Sequence, residues 1–386
     1  MRIAMFSWET LYSSAVGGVA THVSELSAAL ARRGHQVHVF TRPGHGLGSV
    51  QQVGEVFYHY CPHELDQDFV SEIQAMCRSL VWHFSETEKH LGQFDVVHSH
   101  DWLTADAVRW LKRARPEHHA VLTMHSTEYG RCGNSLWDGA SARIRDCEWQ
   151  GTYVADRVIA VSSTLKDELA QIYGLPDWKC DVIYNGVPVH EFDVGVDAGG
   201  VKRRYALGPL DPTILFCGRL CLQKGPDLLI EAIPGLLGYH ANAKFVFVGD
   251  GHMHGDLQQR ARELGVSHAT RFLGHLKGEQ RVDLFKACDA VCMPSRNEPF
   301  GIVALEGWAA GKPVVASQVG GPSEYVWHGV TGLKIQPTVD SVGWGIGTLF
   351  SDFDWARWMG KNGRYAAETA FTWDIAAEKT ERCYAH

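Results

Sequence analysis

Two glutamates stand eight residues apart in the segment MPSRNEPFGIVALEGWAAGKPVVAS, residues 293–317. Glu298 falls in the turn after an apolar run, and Glu306 falls in the helix-like stretch that follows. Both carboxylates can accept hydrogen bonds from hydroxyl groups. The spacing therefore indicates a site for a polyhydroxylated ligand, with a surface helix that carries an ordinary glutamate as the alternative.

The residues between these glutamates predict the start of a helix. Pro299 suits a first helical position, which places the helix over 300–310 with Gly311 as its terminator. Free backbone amides near Gly301 and Ile302 would then favour an anion such as phosphate. A ligand that carries both phosphate and sugar hydroxyls would satisfy the amides and the carboxylates together.

Two cations lie five residues apart in FCGRLCLQKG, residues 216–225, just after another apolar run. Arg219 offers a planar fork of donors and Lys224 offers a compact positive charge. Together they could neutralise a diphosphate. A solvated basic loop is the alternative interpretation.

Histidines follow two strand-like runs in the first half of the chain, in VVHSHDWL (96–103) and LTMHSTEYG (122–130). A histidine can donate to a sugar hydroxyl or hold a proton near neutral pH. Ligation of a metal by His98, His100 and His125 is the competing hypothesis.

A glycine pair, Gly17 and Gly18, stands before a stretch whose apolar residues recur at helical spacing from Val19 to Leu30. A strand, a glycine loop and a helix start can cradle phosphate. Such a pair also occurs for backbone packing. The G-x-G-x-x-G spacing is missing, so an NAD-dependent dehydrogenase is not expected.

The elements that must position these residues are short apolar strands alternating with longer helical patterns. This alternation predicts parallel sheets with helices on both faces. Ligands of such sheets bind outside the carboxyl ends of the strands, where the residues above lie. The predicted strands are 2–6, 36–40, 95–98, 120–124, 157–161, 181–184, 213–217, 243–248, 290–294 and 313–316.

The bulk composition is that of a soluble two-domain protein: 386 residues, 45% of them hydrophobic and 21% charged. A net charge of -8 argues against a nucleic-acid partner. The N-terminal residues MRIAMFSWET predict neither a signal peptide nor a membrane span, and hence a cytoplasmic protein.

Ten dispersed cysteines are expected to be reduced, buried thiols. Two pairs have a four-residue spacing, Cys217 with Cys221 and Cys288 with Cys292, and a zinc site is the alternative for them. Each pair begins in a predicted strand, where residues four apart lie far apart along the backbone.

These motifs resemble those of one family. The segment with Glu298 and Glu306 resembles the Glu-x7-Glu signature of retaining nucleotide-sugar glycosyltransferases of the glycogen-synthase and family 4 type. GRLCLQKG resembles the family's G-R-L-x-x-x-K-G element, and VHSHDW and TMHS resemble two further glycogen-synthase elements. The resemblance runs from the VGG near the start to GGPSEYV near residue 326.

The resemblance implies a role for each residue. Glu298 would contact the donor sugar, Glu306 the ribose, and Arg219 with Lys224 the leaving diphosphate, while His125 would line the donor site. A lysine usually precedes the family's glycine pair by two residues, and Ala15 replaces it here. The catalytic residues that the resemblance implies are His125, Arg219, Lys224 and Glu298. The donor site would include Arg219, Lys224 and Glu298 together with Gly17, Gly18, Phe300, Gly301, Ile302 and Glu306. The acceptor side would include His100 and Asp101.

The resemblance also implies a fold. We expect an α/β protein of the GT-B class, with two Rossmann-like doubly wound domains that face a central cleft. The regular pattern lapses over 192–210, which contains GVDAGG. This predicts an acceptor-side domain at 1–195 and a nucleotide-sugar-binding domain at 196–370, with a last helix at 371–386 that crosses back to the first.

The expected activity is transfer of a hexose, with retention, from ADP-glucose or UDP-glucose to an α-glucan, without a metal or other cofactor. Alternatives are a sucrose-phosphate-synthase-like enzyme, a transferase acting on a lipid-linked glycan, and a two-lobed sugar-binding protein without turnover. A phosphorylated acceptor would need cations in the first domain, for which Arg131, Arg143 and Arg145 are candidates.

Overall fold

The computed structural model of the protein describes residues 1–44 and 48–385. The chain divides into two compact units. The first unit comprises Met1–Asn185 together with the chain from Trp373 onward, and the second unit comprises Gly186–Thr372.

Within the described residues, the first unit contains an eight-stranded sheet of order β3-β4-β2-β1-β5-β6-β7-β8. Every neighbouring pair is parallel except β3 with β4. The strands are β1 Arg2–Ser7, β2 Gln36–Thr41, β3 Val50–Val53, β4 Val56–Tyr60, β5 Val96–His100, β6 His119–Met124, β7 Arg157–Ala160 and β8 Cys180–Val182.

Helices cover both faces of this sheet. Successive side chains of β1 point to opposite faces, so each face needs its own apolar core. Ile3 and Met5 pack in one core cluster, and Ala4 and Phe6 pack in another. The helices of the first unit are α1 Gly18–Arg32, α2 Phe69–Leu91, α3 Ala105–Ala114, α4 Glu128–Arg131, α5 Ala140–Val154, α6 Ser163–Tyr173 and α15 Trp373–Tyr384.

The second unit contains an all-parallel sheet of order β11-β10-β9-β12-β13-β14. Its strands are β9 Thr213–Cys217, β10 Lys244–Val248, β11 Thr270–Phe272, β12 Ala290–Met293, β13 Val314–Ser317 and β14 Gly332–Ile335. Its helices are α7 Ala198–Arg204, α8 Pro226–Tyr239, α9 His254–Glu263, α10 Gly278–Ala287, α11 Ile302–Ala309, α12 Pro322–Tyr325, α13 Val339–Ser351 and α14 Phe353–Ala370. The predicted alternation of parallel strands and helices is confirmed in both units.

The boundary between the units lies at 185/186, ten residues before the predicted 195/196. The segment that follows Asn185 is bound by the second unit: the Val187 N–H donates to the Phe371 carbonyl (2.9 Å), and Lys286 donates to the Phe192 carbonyl (2.6 Å). The composition change at GVDAGG marks α7 and its surroundings, which lie inside the second unit.

Helix α15 packs on α1 of the first unit. Arg33 forms a two-pronged ion pair with Glu381, and the Tyr384 hydroxyl lies 2.7 Å from His98 Nδ1 in β5. The chain from Trp373 therefore returns to the first unit, starting two residues later than the predicted 371.

None of the described helices is long and apolar enough to cross a membrane. All ten cysteines are free thiols, and six of them are buried. Across residues 1–44 and 48–385, no cysteine joins a group of side chains close enough to share a metal ion, so neither predicted cysteine pair forms a zinc site.

Candidate functional site

The loop between β12 and α11 holds Glu298 against Lys224. The Lys224 Nζ lies 2.8 Å from each Glu298 carboxylate oxygen, and the Ser295 hydroxyl donates to Oε2 at 2.9 Å. Glu298 is only 5% exposed, so its charge depends on these partners. Two residues predicted from separate motifs thus form one ion pair.

Gly225 allows the Lys224 loop to approach this position. Its φ angle is +69°, and a Cβ there would lie 2.2 Å from the Pro294 carbonyl oxygen. The Arg296 N–H donates to the Gln223 carbonyl at 2.8 Å, which joins the two loops directly. A side chain at residue 225 would separate them.

Arg219 is the exposed cation of the same loop. Its Nη2 donates to Gln223 Oε1 at 3.2 Å, and it forms no ion pair with any described residue. Arg219 can therefore offer most of its guanidinium to an anionic ligand, whereas Lys224 must share its charge with Glu298.

The helix after Glu298 starts later than predicted. It begins at Ile302 and ends at Ala309, so the predicted helix over 300–310, started by Pro299, is two residues too early at its beginning. Gly301 has a φ of +86°, which cannot continue an α-helix, and a Cβ there would lie 2.9 Å from Met293 Cε and 3.1 Å from the Tyr325 hydroxyl. No side chain caps this helix start, so its first amides can bind an anion.

Glu306 is buried about one turn into α11 and pairs with Arg281 of α10. Burial raises the pKa of the Glu306 carboxyl, and the Arg281 charge opposes that rise. One carboxylate oxygen is thus engaged by Arg281. The sequence motifs contain no signal for Arg281, because it stands in an ordinary polar helix.

In the first unit, the loop before α1 is closed by Glu9. The Glu9 carboxylate accepts hydrogen bonds from the Val16 N–H and, at 2.8 Å, from the Gly17 N–H. Burial raises the pKa of Glu9, and these two hydrogen bonds lower it. A phosphate at the Gly17 and Gly18 amides must therefore displace a carboxylate of the protein itself. Glu9 could have been identified from the sequence as an acidic residue that stands between a predicted strand and a glycine pair.

Three histidines of the first unit come together. His100 ends β5 and His125 follows β6; because these strands are parallel neighbours, His100 Nδ1 and His125 Nε2 lie 3.3 Å apart. His22 of α1 joins them, with its ring centroid 4.5 Å from that of His125. His22 Nδ1 lies 2.7 Å from the Asn185 side-chain oxygen. The motifs did not identify His22, although it follows the glycine pair by one helical turn.

His98 lies beside the cluster, with its ring centroid 4.4 Å from that of His100, but both of its ring nitrogens are engaged by other residues. Its two ring nitrogens bond to the Tyr384 hydroxyl at 2.7 Å and to the Thr123 hydroxyl at 2.6 Å. It is fully buried and connects β5 to β6 and to α15. The predicted metal set of His98, His100 and His125 is therefore not the set that the structure groups.

All four histidines are neutral at neutral pH. Burial is the main cause: it lowers the pKa of His98 and of His125 to about 3, and it lowers the pKa of His22 and His100 well below the usual range. They act as hydrogen-bonding groups at this pH and carry no charge.

Asp101 has a positive φ of 61° and holds the backbone of His125, whose N–H donates to its Oδ1 at 3.2 Å. Arg131 Nη1 lies 3.8 Å from the other oxygen of Asp101. Arg131 also pairs with Glu128 and Glu148; burial opposes its charge, but these carboxylates outweigh burial and raise its pKa. Asp101 is thus fixed beside His125 by an arginine.

The cations proposed for a phosphorylated acceptor are already engaged. Arg131 has three carboxylate partners, and Arg143 pairs with Asp68 at 2.8 Å. Arg145 donates to the Trp137 carbonyl at 2.6 Å. A phosphorylated acceptor at Arg131 or Arg143 would therefore have to compete with these carboxylates.

Two family descriptions match the chain. "Glycosyltransferase Family 4" matches residues 16–191, and "Glycosyl transferases group 1" matches residues 202–365. The two matched segments contain the histidine cluster and the Lys224–Glu298 pair respectively.

Relatives match over the whole chain. An uncharacterized glycosyltransferase of Methanocaldococcus jannaschii is 37% identical over 100% of this chain and 98% of its own length. Glycogen synthase of Mycobacterium tuberculosis is 32% identical over 100% and 94%. D-inositol 3-phosphate glycosyltransferase of Corynebacterium jeikeium is 32% identical over 100% and 96%.

Solved structures share the fold. Sucrose-phosphate synthase of Thermosynechococcus elongatus aligns with a TM-score of 0.81 at 22% identity, over 100% of this chain and 98% of that one. The catalytic domain of starch synthase IV from Arabidopsis thaliana, bound to ADP and acarbose, aligns at 0.82 and 17%, over 99% and 98%. Anabaena HepE in complex with UDP-glucose aligns at 0.79 and 20%, over 100% and 99%.

Proposed function

Because the chain belongs to glycosyltransferase family 4 and has the GT-B fold, we propose that it transfers glucose, with retention, from ADP-glucose or UDP-glucose to an α-glucan. The observation that carries this proposal is the Lys224–Glu298 pair beside the unpaired cation Arg219. A sugar-binding protein without turnover has no need of cations for a diphosphate at this place.

The second unit would hold the donor. Arg219 and the uncapped start of α11 offer positive charge to the two phosphates, and the remaining oxygen of Glu306 can accept from a ribose hydroxyl. Glu298 would accept from hydroxyls of the donor sugar while Lys224 balances its charge. HepE and starch synthase IV, which share the fold, were solved with UDP-glucose and with ADP.

We favour departure and attack on one face of the sugar. The bond from the anomeric carbon to the diphosphate breaks, the acceptor oxygen bonds to the same carbon from the same face, and the acceptor proton passes to the leaving phosphate oxygen. Glu298 is a poor nucleophile for the covalent alternative because Lys224 and Ser295 already engage its oxygens.

Charge stabilisation would then provide most of the catalysis. Arg219, Lys224 and the α11 amides would stabilise the negative charge that develops on the leaving diphosphate. Neutral His125 would hydrogen-bond a hydroxyl of the donor sugar, and His100 with Asp101 would lie toward the acceptor. These groups provide the positive charge, so we propose that no metal or other cofactor is needed.

An α-glucan is favoured as acceptor by the glycogen synthase relative and by the carboxylates that neutralise Arg131 and Arg143. One observation favours a second candidate, a small phosphorylated polyol or sugar. Arg42 lies just after β2 with its guanidinium 3.6 Å from the centre of the Trp8 ring, and it forms no ion pair with the residues described. D-inositol 3-phosphate glycosyltransferase and sucrose-phosphate synthase are the corresponding relative and neighbour.

One experiment tests both candidates. Purified protein is incubated with ADP-glucose, UDP-glucose or GDP-glucose and with maltooligosaccharides, fructose 6-phosphate or inositol 3-phosphate; released diphosphate, product mass and anomeric configuration are measured. We expect longer α-linked maltooligosaccharides. Turnover only with a phosphorylated acceptor, lost in Arg42→Gln, would replace the glucan proposal with the second candidate. No diphosphate release with any pair would contradict both.

A further inference from the structure

The cluster of His22, His100 and His125, which we call the histidine cluster, has the composition of a metal site. One ring nitrogen from each lies within 4.8 Å of the other two. The 3.3 Å between His100 Nδ1 and His125 Nε2 is close to the roughly 3.4 Å that separates two nitrogen ligands of a tetrahedral zinc ion. In the part of the chain that the structure describes, this is the sole group with such proximity.

A second contact prepares His22 for ligation. Its Nδ1 lies 2.7 Å from the Asn185 side-chain oxygen, which can only accept a hydrogen bond, so Nδ1 carries the proton and Nε2 keeps its lone pair. Histidine ligands in metal sites are oriented in this way by an oxygen acceptor on the opposite nitrogen. His22 Nε2 is buried and has no hydrogen-bond partner.

His100 Nε2 is likewise buried without a partner. Buried polar atoms in folded proteins nearly always have one, so the partnerless Nε2 of His22 indicates a missing ligand. His100 would bind the ion through Nδ1, which would replace its present hydrogen bond to His125 Nε2, so its own Nε2 is not counted. His125 is the partly exposed member, and an ion could reach the cluster from its side.

We propose that the histidine cluster binds a divalent transition ion, with Zn²⁺ as the preferred ion and a water as its fourth ligand. Imidazole favours zinc, copper and nickel over magnesium and calcium, which prefer oxygen ligands. Small rotations about the broad Cβ–Cγ torsions of the histidines would bring the remaining nitrogens to ligand distance.

The consequence of binding rests on the proposed function. His125 is proposed to contact the donor sugar, and an ion held by His125 would block that contact. Zn²⁺ is thus expected to inhibit reversibly the transfer that we propose to proceed without a metal.

The test is a titration of substrate-free protein with Co²⁺, whose visible absorption reports four-coordinate nitrogen ligation. We expect one equivalent to bind with intensified bands and to be displaced by Zn²⁺. His22→Gln and His125→Gln should each lower the affinity at least tenfold, and Asn185→Ala by about tenfold as the loss of an orienting contact. His90→Gln and His268→Gln, at exposed positions, are the matched controls and should bind as the unaltered protein does.

Thermal unfolding shows whether each variant is folded. If His22→Gln does not fold, His125→Gln, which changes the least buried of the three histidines, provides the test. An unchanged spectrum and affinity in folded His125→Gln, or binding reduced only in the surface variants, overturns the proposal. The Co²⁺ result does not depend on activity. If transfer occurs and no Co²⁺ binds, only the metal site fails; if Co²⁺ binds at the cluster and no transfer occurs, only the proposed function fails.

Discussion

Lys224 Nζ lies at the same distance, 2.8 Å, from both carboxylate oxygens of Glu298. The two residues are 74 positions apart in the chain, and each was identified by a different motif. Their pairing means that a diphosphate must draw Lys224 partly away from Glu298, while the donor sugar takes up the oxygens that are released. The ion pair therefore links the phosphate position to the sugar position.

Lys224→Ala is expected to lower kcat/KM by about two to three orders of magnitude, because it removes a charge that stabilises the leaving group and leaves Glu298 buried without its partner. Arg219→Ala should cost a similar factor without affecting the fold, since Arg219 is exposed. Steady-state kinetics with a verified donor provides the measurement. If Lys224→Ala and Glu298→Gln had small effects that simply added in the double variant, the pair would have no catalytic role.

Gly225→Ala should reduce both stability and turnover, because the new Cβ would lie 2.2 Å from the Pro294 carbonyl oxygen. The Lys224 loop would have to move away from Glu298. Gly235→Ala is the matched control: it lies within α8, nothing lies within 4 Å of its Cβ position, and helix propensity predicts a gain of up to about 1 kcal/mol. Melting temperature and kcat should fall only in Gly225→Ala.

Glu9→Ala should free the loop before α1. Two backbone amides would lose a charged acceptor, and we expect a loss of about 1–3 kcal/mol in the free energy of unfolding. Hydrogen exchange at Val16 and Gly17 should accelerate, while exchange in β9 should not change. Glu55→Ala, at an exposed turn, is the control. Unchanged protection of Val16 and Gly17 would show that Glu9 does not hold the loop.

The first unit should lose stability below pH 6.5 through its buried histidines. The pKa of His98 is about 3 in the folded protein and about 6.5 in an unfolded chain, so between these values only the unfolded chain binds the proton. Stability then falls as the pH falls through this window, by about 1.4 kcal/mol per pH unit for each such histidine, and is unaffected above it. Denaturant midpoints of His98→Gln should depend less on pH between 7 and 5 than those of the unaltered protein, whereas His90→Gln should not differ.

Arg281→Met should destabilise the second unit by about 2–3 kcal/mol, because Glu306 would keep a buried charge without a partner. This loss is smaller than for a fully buried ion pair, since 31% of the Arg281 side chain is exposed. The double variant Arg281→Met with Glu306→Gln should regain much of this loss. Glu306→Gln alone should weaken binding of the nucleoside diphosphate, as measured by calorimetry. Equal nucleotide affinity in Glu306→Gln would contradict its ribose role.

The sequence predicted ten of the fourteen described strands and missed β3, β4, β11 and β14. The miss of β4, which reads VFYHY and is largely buried, has no explanation in a weak pattern, whereas β3 and β11 have one. β3 reads VQQV, with three of its four residues exposed, and β11 has only three residues. Neither contains enough apolar residues to be distinguished from a loop. The predicted helix start at Pro299 failed for another reason: tertiary contact of Gly301 with Met293 and Tyr325 decides where α11 begins.

The same distinction applies to the site. Residues within motifs, such as Lys224 and Glu298, were predictable because their local sequence is distinctive. Arg281, the partner of Glu306, and His22, the neighbour of His125, stand in ordinary helices, and Glu9 stands alone before its loop. Contacts that form only in the folded chain select these residues, over as few as eight positions for Glu9 and Gly17, and the local residue pattern does not reveal them.

The return of α15 to the first unit has a consequence for synthesis on the ribosome. Trp373, Ala377 and Tyr384 belong to the same core cluster as Ile3 and Val23, so that core remains open until α15 has been translated. The second unit, whose residues are contiguous, can fold earlier. A nascent chain would therefore carry an unfinished amino-terminal unit with an exposed apolar face, and chaperone binding during translation is expected to concentrate there.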